Sequence, residues 1–89
     1  MIRKNLASYI NLGQKIEKEL NKAGINTIEE LIAMGSEEAF IKLHTIDKTS
    51  CIHKLYALEG AIQGIRWHDL PQQKKDELKI FFNLITKNK

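Results

Sequence analysis

Cysteine is nearly missing from this chain: Cys51 stands alone among 89 residues. A single thiol forms no intramolecular disulfide, so the fold is not a disulfide scaffold, and a reducing cytoplasm is the expected compartment. Proline is as scarce, with only Pro71, and no low-complexity stretch marks a linker. No apolar run approaches the roughly 20 residues that span a bilayer. The N-terminus, MIRKNLASYINLGQ, also lacks the continuous apolar segment of a secretory signal. Strand patterning is missing too: no sustained alternation appears, and every periodic segment repeats at three to four residues, which places the chain in the all-α class.

What is present is ordinary for a globular protein: 43% hydrophobic residues and 28% charged. Residues 1–89 are read as one domain, able to bury a single core but too small for a deep catalytic cleft. The net charge of +3 is mild but unevenly spread. Five bases and two acids occupy 1–22, one base and five acids 23–47, and eight bases and four acids 48–89. Basic ends around an acidic middle could meet an anionic polymer on one side, although windows this short often fluctuate so.

The chain is organised around TSCIHKLYALEGAIQGIRWHDLP, residues 49–71. From Cys51 to Ile65 the apolar positions cover most of a helical circumference and leave His53, Lys54, Glu59 and Gln63 to water. Such a helix is expected at the centre of the fold. Gly60 and Gly64, four apart, predict the close approach of a second helix, and Thr49 or Ser50 is the expected cap.

Around that post the pattern predicts a compact domain of five helices, or six with the short ones counted. Ile2, Leu6, Tyr9 and Ile10 stripe a short first helix, stopped by Asn11 and Gly13, which tolerate a left-handed turn. Gln14–Lys22 follows with Ile16, Leu20 and Ala23 inward. Gly24 is placed for a left-handed stop with Ile25 folded back on Leu20. Thr27 and Glu30 form a capping box opening Ile28–Met34. Gly35 ends that helix, and Ser36 is the expected cap of the next, whose inner face is Ala39, Phe40, Leu43 and Ile46. The last helix, about Leu70 to Thr86, turns Leu78, Phe81, Phe82 and Ile85 inward. Ile80 and Leu84 widen its apolar face beyond what an edge helix needs. Either the tail wraps the core or these two residues form an interaction surface, including one between two copies of the chain.

The segments NLGQKIEKELNKAGINTIEELIAMG and LYALEGAIQGIRWHDLP resemble the C-terminal domain of the TfoX (Sxy) competence-regulator family. The resemblance runs roughly from Leu6 to Leu78. It implies a five-helix domain similar to helix-hairpin-helix and SAM-like folds, with a role in regulating DNA uptake or transcription. Family members of full length carry a further N-terminal α/β domain, which is not in this sequence, so the chain is read as the C-terminal domain standing alone.

Two surfaces then carry functional expectations. In a helix-hairpin-helix, a small-residue loop presents backbone N–H groups at a helix N-terminus, where the dipole favours phosphate. Asn11, Gly13 and Gln14 would be that loop here, with Lys15 and Lys18 adding charge for weak, sequence-independent binding of DNA. The chain departs from the usual Gly-x-Gly by starting on Asn11 and lacks the common proline, and the plainer reading is a tight helix–helix turn. The alternative is a SAM-like protein-interaction module using Ile80 and Leu84. Catalysis is not expected: His44, His53, His68 and Cys51 show no metal-ligand or nucleophile spacing. No cofactor, metal or membrane is expected either. Cys51 reads as a small buried hydrophobe and Trp67 as core over the end of the central helix.

Overall fold

The computed structural model describes residues 9–87. The short helix expected over Ile2–Ile10 therefore lies largely outside the described residues. Tyr9, Ile10 and Asn11 themselves form a bend and turn. Five α-helices follow: α1 (Gln14–Lys22), α2 (Ile28–Met34), α3 (Ser36–Ile46), α4 (Ile52–Gln63) and α5 (Gln72–Lys87). A single 3₁₀ turn, Trp67–Asp69, joins α4 to α5. Among the described residues there is no strand.

Helix α4 is the post. It packs against α2, α3, α5 and the 3₁₀ turn, while α1 packs on α3. Leu55 and Leu58 of α4 are fully buried in one core cluster with Leu20, Ile25, Leu31, Phe40, Leu43 and Leu78. Each of those helices thus contributes at least one large side chain to a common core, which is what a non-directional burial force can hold together.

Local chemistry sets the boundaries. Helix α1 ends in a Schellman motif: Gly24 sits at φ +89°, Ile25 N–H donates to the Leu20 carbonyl at 2.8 Å, and Gly24 N–H donates to Asn21 at 3.0 Å. The same pair of bonds closes α4 around Gly64, with Ile65 N–H to Gly60 at 2.9 Å. The capping box opens α2: the Thr27 hydroxyl accepts from Glu30 N–H at 3.1 Å and the Glu30 carboxylate accepts from Thr27 N–H at 3.2 Å.

Several local expectations are corrected. Ser36 does not cap α3; it is the first helical residue, Gly35 is the joint at φ +90°, and the Ser36 hydroxyl donates to Glu59 on α4 at 2.6 Å. The cap position of α4 is Cys51, not Thr49 or Ser50, and no side chain caps it. Thr49 and Ser50 instead fold back on Asp47. In an extended cap conformation Cys51 leaves the helical stripe, so its thiol is exposed rather than buried. Ile46 is exposed as well. Helix α5 starts two residues later than expected, after Pro71, whose carbonyl accepts from Lys75.

Lys54 is the largest departure. It does not face water: its ammonium is 2.6 Å from Glu19 of α1 and 3.0 Å from the Ser50 hydroxyl. Only 11% and 10% of the two charged side chains is exposed. An ion pair so far out of water is held by the helices around it and punishes loss of either partner.

Candidate functional site

The turn before α1 is built by Asn11. Its φ of 71° is the left-handed value that Asn tolerates, while Gly13 is extended at φ −120° and ψ −177°. The Asn11 side chain turns inward. Its Nδ2 donates to the Ile65 carbonyl at 2.8 Å, and its Oδ1 accepts from Trp67 N–H at 3.1 Å. The amide thus bridges this turn to the far end of α4 across Gly60. A Cβ on Gly60 would collide with Asn11 Nδ2 and lie 2.8 Å from the Ile65 carbonyl oxygen. The close approach at Gly60 is therefore made by the Asn11 side chain and the backbone of Ile65 and Trp67, not by a second helix.

With Asn11 occupied, what remains outward at the start of α1 is Gly13, Gln14, Lys15 and Lys18, all exposed. Gly13 is the cap residue and no side chain satisfies the first N–H groups of the helix. These four expected residues share the start of α1, while Asn11 is set apart as a structural bridge.

The nearby α3–α4 loop carries one acid, Asp47, and one base, Lys48. Asp47 accepts from Thr49 N–H at 3.0 Å and from the Thr49 hydroxyl at 2.5 Å. Those bonds, with lesser help from the charges of Lys54 and Lys15, hold its carboxyl below the ordinary value of 3.8 against a small opposing effect of burial.

The outer face of α5 is the second candidate. Leu78 is buried, Phe81, Phe82 and Ile85 are half-buried, and Phe82 lies 5.7 Å from Phe40 ring to ring. Ile80 and Leu84 point away from that core and are each 63% exposed. The tail does not wrap over them. Smaller apolar exposure occurs at Ile41 and Ile46, beside Lys22 and Lys42 in a shallow groove between α1 and α3.

A third cluster gathers around Trp67, which the sequence placed over the end of α4 without the partners it has there. Trp67 stacks on His68 at 3.8 Å and on Tyr56 at 5.5 Å, with His53 at 5.2 Å and the Lys75 ammonium 5.8 Å from its ring. Burial, and secondarily the charge of Asp76, pushes the Tyr56 hydroxyl above its ordinary value of 10.0. The i,i+3 spacing of His53 and Tyr56 was the only local signal. Trp67 is half-buried among these rings, and the cluster closes the open end of α4.

Among the described residues no group of three or more His, Cys, Asp or Glu is placed to hold a metal ion. No described helix is long and apolar enough to cross a membrane.

Comparison with known proteins places this geometry. No curated protein matches the chain. An uncharacterized protein from Listeria monocytogenes, solved in a triclinic form, is 49% identical with a TM-score of 0.90, over 92% of this chain and 93% of that one. A protein of unknown function from Listeria monocytogenes, in a tetragonal form, is 49% identical with a TM-score of 0.86, over 89% and 98%. A family model described as the TfoX C-terminal domain matches residues 2–82. By that match, which runs through all five helices save the end of α5, the chain belongs to the TfoX C-terminal domain family.

Proposed function

We propose that this chain is a non-catalytic regulatory module that works by binding protein through the outer face of α5. One observation carries the reading: Ile80 and Leu84, one turn apart, are each 63% exposed on a helix whose other large apolar side chains face the core. Two β- or γ-branched side chains held in water in register lose favourable burial unless a partner covers them. The regulation of DNA uptake or transcription implied by the family resemblance is the setting, and the cytoplasm keeps the exposed Cys51 thiol reduced. The test is affinity capture from cytoplasmic extract on immobilised wild-type chain and on the Ile80→Glu, Leu84→Glu double variant. A set of proteins retained by the first and lost by the second supports the reading; identical sets overturn it.

A second reading, weak sequence-independent DNA binding, is favoured by the uncapped start of α1 beside exposed Lys15 and Lys18. Free N–H groups and two ammonium groups suit a phosphate. Anisotropy of labelled duplex DNA at about 50 and 200 mM salt tests it, since phosphate-driven binding weakens steeply across that range. Loss of binding on Lys15→Glu with Lys18→Glu supports the clamp. No binding at the lower salt removes it.

A further inference from the structure

We propose that a second copy of this chain covers the α5 face, the two α5 helices pairing antiparallel about a twofold axis. The proposal rests on the reading of α5 as the interaction face and names its occupant. Four residues of the exposed face of α5, which also carries Gln73, Asp76 and Asn83, form one stripe: Glu77, Ile80, Leu84 and Lys87. Its spacings are three, four and three residues, the spacing that keeps a seam facing a neighbouring helix. The spacing reads the same from either end, whereas the chemistry does not: acid, apolar, apolar, base.

Reversing one copy therefore lays Ile80 on the partner's Leu84, Leu84 on the partner's Ile80, and each Glu77 opposite the partner's Lys87. The two-fold arrangement is self-complementary, as an isologous interface must be. A parallel pair would instead oppose Glu77 with Glu77 and Lys87 with Lys87, and is disfavoured by like charge.

Glu77 is already within 3.3 Å of Lys74, but 54% of its side chain is exposed. A pair of that kind is worth little, so exchange for a facing Lys87 is not opposed. The stripe spans about 15 Å at the rise of an α-helix. One such seam buries less than the roughly 1,200 Å² of a standard interface, so the expected dimer is weak and concentration-dependent.

The test is sedimentation of the full 89-residue chain from about 10 to about 500 μM, a range that brackets weak self-association. The wild type is expected to rise from monomer toward dimer. Ile80→Glu with Leu84→Glu is expected to stay monomeric with unchanged far-UV circular dichroism, and Ile80→Gln alone gives a milder, safely folded version. Glu77→Lys or Lys87→Glu alone is expected to weaken the dimer about tenfold, and the two together to restore it. A wild type monomeric at every concentration overturns the pairing, as does a dimer indifferent to Ile80 and Leu84, or a double charge exchange that restores nothing. If the chain is monomeric yet loses captured proteins on the Ile80→Glu, Leu84→Glu change, the self-pairing falls and the α5 reading stands. If it is monomeric and capture is unaffected, both fall.

Discussion

Asn11 does three things at one position: it accepts a left-handed backbone, donates to Ile65 and accepts from Trp67. The bonds link residues 54 and 56 positions apart, so they tie the start of α1 to the end of α4 rather than merely shaping the turn. The contributions can be separated. Asn11→Gly keeps φ but removes both bonds, leaving a part-buried carbonyl and N–H without a partner, for a loss of about 2–3 kcal/mol. Asn11→Ala adds the strain of an alanine at positive φ, about 1 kcal/mol more. Urea unfolding of the three proteins checks this. Equal losses for Gly and Ala would mean the backbone relaxes, and no loss for either would mean that water replaces the amide.

At the scale of the element, most of what was legible in the sequence is what is decided within one turn of chain. The capping box of Thr27 and Glu30 and the stop at Gly24 and Ile25 join residues no more than five apart, and their bonds form as the spacing predicts. Cys51 misled because apolar periodicity does not mark where helical dihedrals begin, and one extended residue takes the side chain off the stripe. Lys54 misled for another reason: its partner Glu19 is 35 residues away, and only tertiary packing brings the two together. The Trp67 cluster was hidden likewise. Ile80 and Leu84 were legible because α5 carries apolar residues on more of its circumference than one contact face requires, a property of the helix itself.

The α3–α4 loop gives a prediction at this scale. Asp47 has a folded-state pKa lowered from 3.8, so the folded protein favours its charged form. Its contribution is present above the unfolded value and is lost as pH falls through the lower folded value. Between pH 5 and the acid end of the titration, the wild type should therefore lose more stability than Asp47→Asn, whose amide carries no charge to protonate. Parallel curves for the two, measured by urea midpoint against pH, would show that the Thr49 bonds do not discriminate between the protonation states.

For the whole molecule, the decisive feature is that α4 packs broadly against α2, α3 and α5 and is joined to α1 by the Glu19–Lys54 pair, with the Asn11 bridge at its far end. No peripheral helix has a core of its own, which predicts a single cooperative transition. An 89-residue domain has a stability on the order of 4–13 kcal/mol. Leu58 lies in the middle of α4 with no exposure at all, and Leu58→Ala should cost about 2–5 kcal/mol through lost burial and an incompletely collapsed cavity. That is a large share of the total, so the midpoint should fall sharply while the dependence on urea stays the same. Trp67 supplies an independent probe, because its fluorescence reports the packing of Tyr56 and His68 at one end of α4, whereas far-UV circular dichroism reports all five helices. The two transitions should coincide in the wild type and shift together in Leu58→Ala. If the fluorescence change comes first, the aromatic end opens as a separate unit, and the side-chain bridge at Asn11 is too weak to couple it to the core.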